Sequence, residues 1–205
     1  MSLYTPSHFR GSDVDAAALM RDHSFATLIT TGASEPHITH LPLLWESGDE
    51  HGVLLGHMAK ANPHWQAFSG GHTIAVFHGP HAYISPSWYA QPEQNVPTWN
   101  YATVHAQGVP QFIDEAAEKL ALIDRTTAHF ETGNTPPWTR EVSGERLEKM
   151  LGAIIAFRMP LTRIEAKFKM NQNRTVADRA KVIARLYETQ HPDLSAMADW
   201  MQKHE

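Results

Sequence analysis

The chain has 205 residues, of which 42% are hydrophobic, and its formal net charge at pH 7 is −5. A chain of this length and composition can bury a core of its own, so the composition does not predict disorder. The complete lack of cysteine excludes a disulfide framework, a thiolate metal site and a cysteine nucleophile, and the acidic balance argues against a strong electrostatic attraction to nucleic acid or to an anionic membrane.

Neither a membrane span nor a targeting segment is predicted. No apolar run approaches the roughly 20 residues that cross a bilayer. The amino-terminal residues lack the charged segment and apolar stretch of a signal peptide. With no cysteine to favour an oxidising compartment, we expect a cytoplasmic protein.

Six segments have the alternation or the composition of β-strands: residues 25–31, 37–46, 52–61, 72–79, 98–113 and 153–170. Pro42 cannot donate a ladder hydrogen bond and predicts a sheet edge or a bulge. Gly108 and Pro110 interrupt the fifth segment. Because tight turns join most of these segments, the pattern favours a six-stranded antiparallel barrel with peripheral helices, mainly β within the α+β class, over a doubly wound sheet.

Helices are predicted around these strands from capping residues and apolar periodicity. We expect one domain over residues 1–205 with a helical extension from about residue 175. The predicted helices are 13–24 with Asp13 at the N-cap, 62–71 with Asn62 at the N-cap and Pro63 first, 115–131 capped by Asp114 with Leu120, Ile123, Thr127 and Phe130 inward, one starting at Ser143, and 175–187 with Val176, Ile183 and Leu186 inward.

The segment 80–100 and the strand after it raise a question about burial. Four prolines predict that 80–100 is largely irregular. In the strand 98–108, alternation puts small residues from Asn100 to Gly108 on one face and large ones, from Trp99 to Gln107, on the other. The large face is too polar for a core and too aromatic for water, which predicts that something covers it.

Histidine pairs do not make a convincing metal site. His37 and His40, three apart on a strand, point to opposite faces and cannot chelate in extended geometry, whereas His78 and His81 lie at a predicted turn and could. Without a third ligand at suitable spacing we predict no metal. A nucleophile elbow, a dinucleotide-binding glycine motif and a phosphate-binding P-loop are all missing from the sequence.

The sequence "GHMAKANPHW" brings a cation and polar groups to a junction between strand and helix. His57, Lys60 and Asn62 lie where free backbone N–H groups and an ammonium could bind a phosphate. The alternative is that Lys60 is a solvated charge and Asn62 is only a helix cap.

Two further segments could bind a planar ligand. "PTWNY" offers a flat aromatic surface, and "KFKMNQNR" offers cations and amides that can hydrogen-bond the rim of a heterocycle. The alternatives are a solvated strand end for the charges and a dimer contact for the aromatic residues.

Seven motifs in register over nearly the whole chain resemble the PaiB-type FMN-binding negative transcriptional regulators. They are "YTPSHF", "FATLIT", "THLPLL", "GHMAKANPHW", "VFHGPHAYISPSWY", "VPTWNYATVHAQG" and "KFKMNQNR". The resemblance implies an FMN-binding split β-barrel of the pyridoxamine-phosphate-oxidase-like class that works as a homodimer, with FMN near the subunit interface. Partner and flavin would then cover the aromatic face of residues 99–107.

The resemblance also implies a set of FMN-binding residues. It matches Thr39, His40, Leu41 and Pro42 to the strand beside the isoalloxazine, and His57, Lys60 and Asn62 to the phosphate end. From the other side of the dimer it implies Trp99, Asn100, Lys169, Asn171 and Gln172. Phe168 and Met170 stand where the family often has Trp and Leu.

The resemblance leaves the biochemical activity open. The long predicted helices carry mixed charge and no basic stripe, so direct DNA binding is doubtful and an effect on transcription could be indirect. The alternatives are a flavin-dependent oxidoreductase and a haem-binding or haem-degrading split barrel. The visible spectrum distinguishes flavin from haem, and bleaching by NAD(P)H distinguishes a reductase from a passive binder.

Overall fold

The computed structural model describes residues 3–48, 50–69 and 71–204. They form two compact units, and each unit is built from separate stretches of the chain. Unit 1 comprises Met1–His23, Phe77–His105 and Glu165–Glu205, and unit 2 comprises Ser24–Val76 and Ala106–Ile164.

The described part of the chain contains eight strands in one sheet with the order β2-β1-β5-β6-β8-β4-β3, in which β7 pairs with β8. Registers are antiparallel for β1 with β2 and β5, for β4 with β3 and β8, and for β7 with β8. The strands are β1 (Phe25–Thr30), β2 (His37–Pro42), β3 (Leu44–Glu46), β4 (Val53–Ala59), β5 (Thr73–Ile84), β6 (Thr98–Gly108), β7 (Gln111–Ile113) and β8 (Ile154–Lys169).

Five α-helices and four short 3₁₀ helices are present in the described residues. The α-helices are α1 (Asp13–Asp22), α2 (Ala116–Glu131), α3 (Gly144–Gly152), α4 (Val176–Glu188) and α5 (Pro192–Lys203). The 3₁₀ helices are Ser7–Phe9, Pro63–Ser69, Pro86–Trp88 and Pro92–Gln94. Within the described residues, none of the helices combines the length and the apolar character needed to cross a membrane.

All six predicted strand segments form strands, but two of them are broken, which raises the count from six to eight. The segment 37–46 breaks at Leu43, whose side chain is buried and whose N–H donates to the Ser24 carbonyl over 2.9 Å. The preceding Pro42 ends β2, at the edge of the sheet. The segment 98–113 breaks after Gly108, where a Cβ would lie 2.3 Å from the Pro160 carbonyl oxygen.

The prediction that residues 80–100 are irregular is wrong at its start, because β5 continues through Pro80 to Ile84. Strand β1 pairs only with Thr73–Val76 of β5. The N–H that Pro80 lacks is therefore not needed by a β1 partner, and a proline is tolerated there. Between residues 85 and 97 the prediction holds, since only two single-turn 3₁₀ helices interrupt the irregular chain.

Two predicted helix caps are displaced by one residue. Ser12, not Asp13, is the N-cap of α1, and its hydroxyl accepts the Asp15 N–H at 3.1 Å. Glu115, not Asp114, is the N-cap of α2, without a side-chain cap bond. For α1 a second favoured capping residue, Ser12, adjoins the predicted Asp13, so composition alone could not select the position, whereas Glu115 is not a favoured capping type.

The inward faces of the later helices differ from the predicted ones. In α2 the buried residue is Leu122, whereas Phe130 is 46% exposed. In α4 Ile183 and Leu186 are buried as predicted, but Val176 is 83% exposed because it is the first residue of the helix. Leu120, Ile123 and Thr127 are half-buried.

Each unit has its own apolar core. In unit 2, Phe68 packs edge-on against Phe157 with ring centroids 5.2 Å apart, and both are fully buried. In unit 1, α5 follows α4 and buries Met197 and Met201 completely, and Phe168 of β8 meets the Trp200 ring at 5.5 Å. The candidate site residues are divided between these two units.

Candidate functional site

Thr39, Asn62 and His64 form a hydrogen-bonded cluster in unit 2. The Asn62 side-chain amide donates to the Thr39 hydroxyl at 3.0 Å, and its carbonyl oxygen accepts the His64 N–H at 3.0 Å. The Thr39 hydroxyl also bonds His64 Nδ1 at 2.8 Å. Asn62 thus caps the 3₁₀ helix Pro63–Ser69, as predicted, and it also ties that helix to β2.

The cluster continues into the core through the other nitrogen of His64. His64 Nε2 lies 2.9 Å from the Thr30 hydroxyl, which lies 2.9 Å from the Thr73 hydroxyl. All three residues are almost fully buried, with His64 only 1% exposed. Burial, together with the neighbouring His37, lowers the pKa of His64 from 6.5 to about 4, so this imidazole is neutral at physiological pH.

Lys60 lies two residues before Asn62 and is exposed. Its backbone is fixed on both sides, because its N–H donates to the Ala153 carbonyl at 2.8 Å and its carbonyl accepts the Trp65 indole N–H at 3.1 Å. Within the described residues its ammonium has neither an ion pair nor a hydrogen bond. The turn therefore presents an unpaired cation on a fixed backbone.

The remaining predicted residues of unit 2 differ in exposure. His57, on β4 opposite Ala156, is half-buried, and this burial lowers its pKa. His40 is exposed, with Nδ1 3.1 Å from the Thr27 hydroxyl. Leu41 is buried, and Pro42 is half-buried opposite Phe25.

Strand β6 alternates as the sequence predicts except at Thr103, which lies on the large face but is buried, with its hydroxyl donating to the Phe77 carbonyl at 2.9 Å. Ala102, Val104 and Ala106 are buried on the small face, whereas Trp99 on the large face is 53% exposed. The Trp99 ring lies 6.0 Å from Tyr83 and 6.2 Å from His81. An aromatic surface is therefore open to solvent on unit 1.

Asn100, the neighbour of Trp99, lies on the opposite face and is fully buried. Its amide nitrogen donates to the Met201 sulfur at 3.4 Å, and its carbonyl oxygen has no partner among the described residues. In this chain Asn100 is thus directed into the core of unit 1, not toward the surface that carries Trp99.

Lys169, Asn171 and Gln172 lie at the end of β8, also in unit 1. The Lys169 ammonium donates to the Thr98 hydroxyl and, at 2.9 Å, to the Trp99 carbonyl, while burial and neighbouring cations lower its pKa. The Asn171 amide donates to the Tyr89 hydroxyl at 3.1 Å, and Asn171 has a left-handed φ of 62°. The Gln172 side-chain oxygen accepts the Met170 N–H at 2.7 Å. Part of the hydrogen bonding of this cluster therefore lies within the turn that follows β8.

The structure thus brings some of the predicted residues together within each unit and leaves others, such as His40 and Asn100, apart from them. Thr39 and Asn62 meet beside Lys60 in unit 2, and Lys169 meets the Trp99 backbone in unit 1. The sequence interpretation missed His64, Thr30 and Thr73. The signal available was His64 itself, a histidine two residues after a helix cap in "ANPHW".

Histidines do not converge on a metal site in the part of the chain that is described, since no group of three or more histidine and carboxylate ligands is suitably placed. His78, His81 and His105 border one cavity of about 360 Å³ with Tyr101 and Thr103. Burial lowers the pKa of His105, against the opposing effect of Glu165.

Two solved structures with the same fold are flavoproteins by their names. The chain superposes on the FAD and heme binding protein from Mycobacterium smegmatis with a TM-score of 0.62 and 16% identity, over 82% of this chain and 77% of that one. For the flavocytochrome Anf3 from Azotobacter vinelandii the TM-score is 0.63 at 16% identity, over 83% and 74% of the two chains. The fold is the mainly β split barrel of the flavin-binding type.

Sequence comparison identifies the family. Residues 3–163 match the model described as "Putative FMN-binding domain". The chain is 36% identical over 205 residues to the protease synthase and sporulation protein PAI 2 of Bacillus subtilis (strain 168), covering 98% of this chain and 97% of that protein. The chain therefore belongs to this FMN-binding family, as an FMN-binding split-barrel protein of the PaiB type, and its cofactor is FMN.

The residues present fit this cofactor. FMN carries a phosphate dianion at one end and a planar isoalloxazine at the other. In unit 2 the exposed Lys60 ammonium, which has no ion pair or hydrogen bond among the described residues, has the charge that would hold a phosphate, and in unit 1 the half-exposed Trp99 indole has a flat face that would suit a planar ring. FMN supplies redox-active flavin chemistry when it is bound.

Proposed function

We propose that the chain is a homodimeric FMN-dependent regulator in which Lys60 binds the flavin phosphate, and that its influence on transcription is indirect. The observation that carries this proposal is the Lys60 ammonium, which lacks an ion pair or hydrogen bond in the part of the chain that the structure describes, on a backbone hydrogen-bonded at both its N–H and its carbonyl. The fixed backbone limits the region that the ammonium can reach, so part of the cost of bringing it to a phosphate is already met by the fold.

The other proposed contacts follow from which side chains have free hydrogen-bonding groups. Thr39 and Asn62 already bond each other and His64, so we assign them to the support of the phosphate turn. His40 has an exposed ring on β2, and we assign it with Leu41 and Pro42 to the strand edge beside the isoalloxazine. His57 remains assigned to the phosphate end.

The aromatic surface of unit 1 supports the proposal of a homodimer. Trp99 is 53% and Tyr83 45% exposed, and Tyr4 is 79% exposed. Such side chains are enriched at protein interfaces. We propose that a second copy of the chain, with its flavin, covers this surface. Lys169, Asn171 and Gln172 are proposed to stabilise the turn beside it.

An FMN titration tests the phosphate assignment. Quenching of flavin fluorescence should saturate at about one FMN per subunit. Lys60→Ala removes a charge-assisted hydrogen bond worth roughly 1.5 to 3 kcal/mol, so we expect FMN affinity to fall about ten- to a hundredfold. Riboflavin, which lacks the phosphate, should bind the variant and the wild type equally.

The matched control is Lys149→Ala, which removes an exposed lysine of α3 in the same unit. We expect it to leave both affinities unchanged. An unaltered FMN dissociation constant in Lys60→Ala would mean that Lys60 is only a solvated charge, and an absence of quenching at micromolar FMN would contradict flavin binding altogether.

The regulatory part of the proposal draws on the Bacillus subtilis relative, whose name links it to protease synthesis and sporulation. For this chain we propose that the flavin, through metabolism or a partner protein, carries the effect. The net charge of −5 supports this, because tight DNA binding needs a surplus of basic residues.

A further inference from the structure

Five polar side chains form one continuous hydrogen-bonded row in unit 2. In order they are Asn62, Thr39, His64, Thr30 and Thr73, with successive distances of 3.0, 2.8, 2.9 and 2.9 Å. The row begins at the turn that carries Lys60, crosses β2, and ends at the paired strands β1 and β5. Both ring nitrogens of His64 are used, so the imidazole is the central link.

A neutral imidazole suits this row, because it donates through one nitrogen and accepts through the other. Because the Asn62 amide donates to Thr39, the row is complete in one direction: the Thr39 hydroxyl donates to Nδ1, Nε2–H donates to the Thr30 hydroxyl, and the Thr30 hydroxyl donates to Thr73. An apolar side chain at position 64 would take one hydrogen-bonding partner from the half-buried Thr39 hydroxyl and one from the buried Thr30 hydroxyl, which is costly. The arrangement therefore fixes the orientation of the ring, and through it the turn.

We propose that His64 is a positioning residue for the flavin phosphate, holding the turn 60–64 so that the Lys60 ammonium meets the phosphate. This inference rests on the proposed function of Lys60. His64 is 1% exposed and both its nitrogens are engaged, so it acts through Asn62 and Thr39 and not by touching the cofactor.

Core packing alone does not explain a histidine at this position. His64 lies against Phe68 at 5.6 Å and stacks on His37 at 5.7 Å with an interplanar angle of 24°. A phenylalanine would reproduce these ring contacts. What it would not reproduce are the bonds to Thr39 and Thr30, which connect the sheet to the Lys60 turn.

The test compares FMN with riboflavin in His64→Phe, which keeps a ring and removes both hydrogen bonds. We expect the FMN dissociation constant to rise about tenfold, which is the loss of affinity expected when one hydrogen bond is lost. The riboflavin constant should stay within about twofold of wild type, because riboflavin makes no phosphate contact. His64→Gln, which can bond at both ends, should recover part of the FMN affinity.

A destabilised control separates positioning from general stability. Leu122→Ala opens a cavity in the cluster of Leu44, Leu55 and Ala156, elsewhere in unit 2. It should lower stability and leave the ratio of FMN to riboflavin affinity unchanged. If His64→Phe does not fold, Thr30→Val, which breaks the next link with little change in shape, is measured in the same way.

The outcomes are distinguishable. An equal loss of FMN and riboflavin affinity, as a purely structural role would give, or no loss of either, overturns the role of His64. If Lys60→Ala lowers FMN affinity and His64→Phe does not, only this inference fails. If Lys60→Ala has no effect, the phosphate assignment itself fails, whatever the result for His64.

Discussion

The buried imidazole of His64 predicts a pH dependence of folding stability. Its pKa falls from 6.5 to about 4 in the folded protein, so below pH 6.5 the unfolded chain takes up the proton first. The stabilisation is complete above pH 6.5 and decreases as the pH falls toward 4. Between pH 7.5 and pH 5.0 we expect His64 to account for a loss of roughly 2 kcal/mol, measured by urea unfolding.

His64→Gln provides the comparison, because glutamine does not titrate in this range. The variant should be less stable than wild type at pH 7.5, and the gap should narrow at pH 5.0. His23, His57 and His105 also have lowered pKa values, and they contribute equally to both proteins. Parallel pH profiles for the two proteins would contradict the assignment.

At this scale the sequence predicts roles at single positions better than it predicts networks. The place of Asn62 before Pro63 predicts a helix cap, and the His64 N–H bond to its side chain confirms it. The row through Thr30 and Thr73 joins residues up to 43 positions apart. Such pairing depends on strand register, which capping and periodicity do not determine.

Strand β6 shows how far alternation predicts an element. Its buried small face and half-exposed Trp99 follow directly from a period of two. The breaks at Leu43 and after Gly108, and the extension of β5 through Pro80, depend on which neighbour each residue has in the sheet. Those neighbours come from distant parts of the chain, so local sequence could indicate a disruption but not its consequence.

The helix α5 is predicted to stabilise unit 1 through Met201. This side chain is fully buried and accepts the Asn100 amide hydrogen bond. Met201→Ala should lower the free energy of unfolding by about 2 to 5 kcal/mol, since it leaves a cavity and removes that partner. Chemical denaturation gives the value. Met150→Ala, at a position 54% exposed on α3, is the matched control and should cost little.

For the whole molecule, we predict a homodimer, with light scattering giving twice the chain mass of 23.0 kDa. Trp99→Glu places a charge within the exposed aromatic surface and should shift the protein toward monomer. Trp138→Glu is the control, since Trp138 is similarly exposed, at 55%, but lies in unit 2. A wild-type monomer that still binds flavin at micromolar concentration would contradict the proposed interface.

The final prediction is that the protein by itself binds DNA weakly and without sequence preference at physiological salt. It has 17 basic against 22 acidic residues, so little counterion release is available, and a dimer doubles the deficit. The clustered cations Lys167, Lys169 and Arg174 already contact other groups of the chain. Lys167 donates to the Tyr4 carbonyl and Lys169 to the Trp99 carbonyl, each at 2.9 Å. The Arg174 guanidinium lies 4.9 Å from the centre of the Tyr89 ring. Binding DNA phosphates would compete with these contacts. Fluorescence anisotropy with a promoter fragment and a scrambled duplex should therefore give similar, weak binding for both, with and without FMN. A nanomolar complex with the promoter alone, persisting in a large excess of competitor DNA, would instead establish direct transcriptional control.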